Sequence, residues 1–157
     1  MTVILTVEDD KNQRLFYEQE LALEGYEVIT AANGIEALDK LHDLHPDIII
    51  MDINMPKMDG LEAIGRIIGK YKNTPIIIHT AYSHYKDKFM SWAADSYIVK
   101  SSDLSELKKT INDLLTKKKS FAVWMKIYTK TDLVFGFTEN QILVKVSPDT
   151  KRRGLYS

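Results

Sequence analysis

Five short apolar runs, each rich in β-branched residues, recur through the first hundred residues, at positions 3–7, 26–30, 48–52, 76–79 and 97–99. Runs of that length and composition read as strands. Between and after them apolar residues fall at helical spacing: Ile35, Leu38 and Leu41, then Leu61, Ile64, Ile67 and Ile68, and finally Leu104, Leu107, Ile111, Leu114 and Leu115. The first helix is less regular, with Leu15, Phe16, Ala22 and Leu23 on one face and Gln19 and Glu20 interrupting it. Capping chemistry marks the starts, since Asn33 and Asp59 each precede a glutamate by three residues, at Glu36 and Glu62. Gly25 suits a helix end. Five strands alternating with five helices, the strands apolar enough to be covered on both faces, predict a parallel five-stranded sheet in a three-layer α/β/α sandwich.

Such sheets place their sites at the carboxyl ends of the strands. Glu8 and Asp9 follow the first predicted strand, Asp52 ends the third, Thr80 follows the fourth and Lys100 follows the fifth. The fold therefore gathers three acids, a hydroxyl and an ammonium at one edge. Three clustered carboxylates repel one another unless a cation joins them. Mg²⁺ is the natural candidate, because it favours hard oxygen ligands from one or two carboxylates and keeps positions for phosphate oxygens. A phosphoryl group on Asp52 would meet that cation, the Lys100 ammonium and the Thr80 hydroxyl. The constellation fits a phosphoryl acceptor.

Four stretches in order, VILTVEDD at 3–10, DIIIMDINMPKMDGLEA at 47–63, PIIIHTAYS at 75–83 and SYIVKS at 96–101, resemble the motifs of the receiver domains of two-component response regulators. The resemblance covers about three quarters of the chain and implies a flavodoxin-like sheet of the receiver type. It implies that Asp52 is the phosphoacceptor, Asp9 a direct Mg²⁺ ligand, Glu8 a water-mediated one, and the Asn54 backbone carbonyl a further ligand. It also implies that Thr80 and Lys100 are the phosphate-sensing hydroxyl and lysine, and Tyr97 an aromatic switch. The implied partner is a His-phosphorylated kinase or a phosphotransfer protein. Asn54 and Tyr82, two residues beyond Asp52 and Thr80, occupy positions expected to tune the lifetime of the phosphorylated form. Three residues depart from the family pattern: Ser101 replaces the proline that usually follows the lysine, His79 stands at a usually apolar position, and Ala93 stands where glycine is common. A cis peptide before a residue other than proline costs about 2.5–4 kcal/mol, so Ser101 bears on how Lys100 is held.

Other readings carry less. Asp10 is expected to cap the first helix. His42 and His45 lie three apart but lack a third ligand, and like His84 they read as solvated side chains. A Mg²⁺-dependent hydrolase with an aspartyl nucleophile also begins from a strand-end Asp, yet it needs a positioned acid, and the position two beyond Asp52 is Asn54. The chain contains no Cys, which excludes disulfides and thiolate metal sites. Its start lacks the basic segment and cleavage site of a signal peptide. No apolar run approaches the length of a membrane span. A cytoplasmic protein with no membrane partner is the expectation.

Charge divides the chain. Residues 1–116 carry 12 basic and 19 acidic side chains, whereas residues 117–157 carry 9 and 3. This asymmetry predicts a receiver domain at 1–119 and an extension at 120–157. Lys117, Lys118 and Lys119 are read as complementing a helix C-terminus. The extension, with Val123, Trp124, Ile127 and Tyr128, then residues 133–137, then 142–146, predicts a small β-meander. Its rival is a longer last helix, because Leu107, Ile111, Leu114, Phe121, Met125 and Tyr128 keep a helical spacing broken only by Lys118. The basic extension invites a nucleic-acid-binding regulator as an alternative, but residues 120–157 show no helix-turn-helix pattern, so nucleic acid is not expected. About 40 residues is too few to fold alone without staples or partners. The extension is therefore expected to dock on its own receiver or to form a homodimer.

Overall fold

The computed structural model describes residues 1–58, 60–82, 94–130, 133–138 and 141–146. The chain divides into two units, Met1–Leu115 and Thr116–Ser157.

In the first unit, strands β1 (Val3–Val7), β2 (Glu27–Ala31), β3 (Ile48–Met51), β4 (Ile76–Thr80) and β5 (Ser96–Val99) form one parallel sheet in the order β2-β1-β3-β4-β5. Helices α1 (Lys11–Leu23), α2 (Gly34–Lys40), α3 (Gly60–Lys70) and the part of α4 (Ser105–Lys130) up to Leu115 supply the outer layers. The helix expected between β4 and β5, with His84 and Ala93, falls in residues 83–93, outside the described residues. So does the Asp59 cap.

Two cores flank the sheet because successive strand residues point to opposite faces. Leu5, Val7, Ile49, Met51 and Ile78 pack with Ala37 of α2 and with Ala63, Ile64 and Ile67 of α3. Ile4, Ile48, Ile50, Ile77 and Ile98 pack with Tyr17 and Leu21 of α1 and with Leu107, Ile111 and Leu115 of α4. The three-layer sandwich is thus the observed architecture. The face of α1 differs from expectation. Tyr17 and Leu21 are buried, four residues apart on one stripe, while Leu15 and Leu23 are exposed.

The caps form locally. Asp10 Oδ1 accepts from the Gln13 amide at 2.7 Å and Asn33 Oδ1 from the Glu36 amide at 3.0 Å, with Glu36 returning to accept from the Ala32 amide at 2.8 Å. Gly25, at φ 85°, turns the chain out of α1, and its amide donates to the Ala22 carbonyl.

The extension corrects the predicted meander. Residues 123–128 belong to α4, which runs 26 residues to Lys130, and only β6 (Leu133–Thr138) and β7 (Gln141–Val146) remain as an antiparallel pair. Lys117, Lys118 and Lys119 accordingly lie inside a helix and not at its end. No Gly or Pro interrupts residues 105–130, and the 3.6-residue spacing outweighs the local β propensity of Val123, Trp124 and Ile127. Among the described residues no helix is long and apolar enough to cross a membrane.

Candidate functional site

The strand order reverses between β1 and β3, and that switch point is where an open parallel sheet leaves a crevice. The backbone delivers the acids there. The Asp52 amide continues the β1–β3 ladder by donating to the Val7 carbonyl at 3.0 Å, and the Glu8 amide donates to the Ala31 carbonyl at 3.0 Å. Glu8, Asp9 and Asp52 consequently offer carboxylate oxygens that all lie within 4.8 Å of one another. Glu8 and Asp52 are buried and Asp9 is exposed.

Lys100 reaches in from the end of β5. Its Nζ lies 2.6 Å from Glu8 Oε2 and 2.6 Å from Asp52 Oδ2. The position of Lys100 is set by its own amide, which donates to the Thr80 carbonyl at 2.8 Å. No cis peptide occurs among the described residues, so Lys100–Ser101 is trans. Burial works against the Lys100 charge, but the hydrogen-bonded Asp52 and Glu8 carboxylates together outweigh it and raise its pKa. Burial also raises the Glu8 pKa, with Lys100 opposing. The ion pairs are therefore shielded from water, and neither acid is held there without a cation.

The remaining predicted residues fall around this cluster. Thr80 is fully buried at the end of β4 and its hydroxyl finds no hydrogen-bond partner among the described residues. A buried orphan hydroxyl is costly unless something in another state engages it. The Asn54 amide donates to Asp52 Oδ1 at 3.3 Å, and its side chain meets the Tyr82 hydroxyl at 3.4 Å. Tyr97 is buried and its hydroxyl donates to the Tyr82 carbonyl. An open cleft of about 630 Å³ lies beside Lys100, lined by Gln13, Phe16, Lys100, Ser101 and Ser102.

Two contributors were missed by sequence reasoning. Arg14 Nη1 donates to the backbone carbonyls of Glu8 and Asp9, each at 2.7 Å, and so fixes the loop that carries both acids. Tyr17 forms a buried 2.7 Å hydrogen bond with Nδ1 of His79. A histidine inside an otherwise apolar strand was the available signal, since a buried imidazole needs a partner.

Burial, reinforced by Lys100 and only partly offset by Asp52, pushes His79 down to about 4. An unfolded histidine titrates near pH 6.5. Between those values the unfolded chain binds a proton that the folded chain does not, so this group removes stability as pH falls from about 6.5 to about 4, up to about 3 kcal/mol. Urea midpoints followed over that window should fall less for His79→Leu, which has no group to ionise, than for the unmodified protein. Equal losses would show that the imidazole is not held neutral.

Comparison with known proteins follows from this geometry. A family model described as response regulator receiver domain matches residues 4–112. The response regulator ArlR of Staphylococcus aureus is 43% identical over 120 residues, which is 75% of this chain and 54% of the relative. The chain thus spans about half the length of the curated relatives it matches. Among solved structures, the response regulator TrrA of Thermotoga maritima in complex with Mg²⁺-BeF is 48% identical, covering 73% of this chain and 99% of that one with a TM-score of 0.70. TrrA solved in complex with the histidine kinase ThkA is 49% identical over the same shares, with a TM-score of 0.69. A CheY-like receiver domain from Methanospirillum hungatei is 28% identical and covers 76% of this chain and 98% of that one, with a TM-score of 0.72.

Proposed function

The chain belongs to the response regulator receiver domain family, and from that premise we propose that it is a phospho-accepting signalling switch in which Asp52 takes up the phosphoryl group. The observation that carries the reading is the convergence of the Glu8, Asp9 and Asp52 carboxylates with the Lys100 ammonium at the sheet's switch point.

A carboxylate oxygen of Asp52 attacks the donor phosphorus, the bond from phosphorus to the donor's leaving atom breaks, and an acyl phosphate forms. With a phosphohistidine donor the leaving group is imidazole, which takes up a proton as it departs. Lys100 lies where it neutralises charge on Asp52 before transfer and on phosphoryl oxygens after it. The Thr80 hydroxyl, buried without a partner, gains an acceptor when those oxygens arrive. Tyr97, whose hydroxyl donates to the Tyr82 carbonyl, responds as the switch aromatic. The donor set is made of hard oxygens and suits Mg²⁺, which Glu8, Asp9, Asp52 and the Asn54 carbonyl would hold. When bound, that ion supplies positive charge against the phosphoryl oxygens.

The partner is a His-phosphorylated kinase or phosphotransfer protein, a reading supported by the TrrA–ThkA complex. We place the switch in the cytoplasm, where such kinases form phosphohistidine from ATP. A switch is favoured over an aspartyl-nucleophile hydrolase because the place of the hydrolase's acid is held by Asn54, exposed and bound to Tyr82. Mass spectrometry after exposure to a small-molecule phosphodonor tests the reading. One phosphoryl group should be added with Mg²⁺ and none without it; uptake that ignores Mg²⁺ would count against the acid cluster as its site.

For residues 120–157 the reading is an oligomerisation element. The two-stranded ribbon β6–β7 pairs Leu133 with Val146, Phe135 with Val144 and Phe137 with Ile142. Such a ribbon is marginal unless covered. Light scattering should give two subunits for the full chain and one for a chain ending at Lys119. Equal subunit numbers would remove the dimer.

A further inference from the structure

Tyr17 and His79 form a buried polar link on the α1 and α4 side of the sheet, beneath the acid cluster. Each is almost fully buried, their rings are 5.5 Å apart between centroids, and the Tyr17 hydroxyl and His79 Nδ1 share a hydrogen bond of 2.7 Å. Burial pushes Tyr17 up to about 12 and His79 down to about 4, so the bond joins two neutral groups throughout the neutral range. A neutral pair of this kind is not loosened by salt. It is instead short, directional and costly to leave unmade inside a core.

The link ends on two different surfaces. On one side His79 immediately precedes Thr80, whose hydroxyl has no partner among the described residues and whose carbonyl accepts the Lys100 amide. On the other side Tyr17 follows Gln13 by one helical turn on α1, and Gln13 lines the open cleft with Phe16 and Lys100. Aliphatic residues at both positions would fill the space through dispersion, which has little directional demand and lets α1 slide on β4. A hydrogen bond ties particular atoms of α1 to the end of β4.

We propose that the Tyr17–His79 hydrogen bond is a positioning bond that couples Thr80 to helix α1, so that phosphorylation of Asp52 is felt at the cleft formed by Gln13 and Phe16. The inference rests on the reading of Asp52 as acceptor. When Thr80 moves towards a phosphoryl group, His79 moves with it, and Tyr17 follows because parting would strand a buried hydroxyl and a buried ring nitrogen. The positions of Gln13 and Phe16 then differ between the two states of the receiver. The same coupling runs in reverse, so a shift of Gln13 and Phe16 biases Thr80 by an equal free energy.

The test separates coupling from stability. Replacing both partners with apolar side chains leaves neither group stranded and is close to neutral for folding, so Tyr17→Phe/His79→Leu should unfold at or above the wild-type temperature. Beryllium fluoride with Mg²⁺ serves as the phosphoryl mimic, and backbone amide shifts are read at Thr80, Gln13 and Phe16. In the wild type all three should move. In the double variant Thr80 should still move, while the Gln13 and Phe16 shifts should fall by more than half. His79→Asn, whose amide can donate to or accept from the Tyr17 hydroxyl, should keep them, and Tyr17→Phe alone should lose them if the double variant folds poorly. Wild-type shifts at Gln13 and Phe16 in both the Tyr17→Phe and the double variant would overturn the coupling and leave the Asp52 reading intact. A silent Thr80 in the wild type would overturn both.

Discussion

Asp52→Asn is expected to take up no phosphoryl group while keeping the fold. The amide has the shape of the carboxylate but is no nucleophile towards phosphorus, so the acyl phosphate has no oxygen on which to form. The substitution also removes one negative charge from a cluster whose oxygens lie within 4.8 Å of one another. It costs Lys100 one of two carboxylate partners, Glu8 remaining at 2.6 Å. Relief of like-charge repulsion and loss of an ion pair act in opposite directions, so the stability change should stay small. Asp9→Ala makes the contrasting variant. It leaves the nucleophile and both Lys100 bonds in place, yet removes the exposed member of the cluster, so uptake should require more Mg²⁺ and not be lost. Mass spectrometry of intact protein reads both. A phosphoryl group on Asp52→Asn would place the acceptor elsewhere, with the neighbouring Asp9 the first residue to examine.

Much of this site was legible because strand-end positions are visible in a sequence. Ile48 to Met51 is a fully buried run, and a polar residue at the end of such a run is where a parallel sheet exposes chemistry. Glu8, Asp52, Thr80 and Lys100 were each singled out by that rule; the structure joins the Glu8, Asp52 and Lys100 side chains, and Thr80 meets Lys100 through its backbone carbonyl. Residues that act through backbone or through one another were not legible in the same way. Arg14 serves the site by donating to two main-chain carbonyls, and nothing in its spacing distinguishes it from a solvated arginine. Tyr17 was hidden because the helical pattern of α1 was read from Leu15 and Leu23, which lie exposed. Its partner His79 was noticed only as a departure. The extension failed for another reason. Val123, Trp124 and Ile127 have strand propensity, yet a helix already under way continues at little cost per residue until a breaker stops it, and none occurs before Lys130. The helical spacing running on from Leu107 through Phe121 and Met125 was visible as the rival, and strand propensity was given more weight than that continuity.

Gly60 was likewise read as part of a motif, without a physical reason. The structure supplies one, and it makes Gly60→Ala the substitution outside the acid cluster with the largest expected cost. A Cβ on Gly60 would stand 2.1 Å from the Asp52 carbonyl oxygen and 2.8 Å from the Ile53 Cα, and both are backbone atoms that cannot swing aside. The Gly60 amide meanwhile donates to the Ile53 carbonyl at 2.8 Å, holding the start of α3 against the end of β3. Accommodating one methyl group therefore means parting these two segments, breaking that bond and displacing the residue that accepts the phosphoryl group. Overpacking of this kind should cost about 3 kcal/mol, which at ordinary slopes lowers the urea midpoint by about 1–2 M. Uptake by the fraction still folded should fall too, because Asp52 is moved relative to Lys100 and Glu8. Gly65, in the same helix, provides the control. It is exposed, its would-be Cβ meets nothing within 4 Å among the described residues beyond its own stretch of helix, and a glycine in a helix interior is a weak point. Gly65→Ala should stabilise by about 0.5–1 kcal/mol and leave uptake unchanged. The opposite signs decide the matter: if Gly60→Ala unfolds at the wild-type midpoint, the close approach of α3 to Asp52 does not constrain the site.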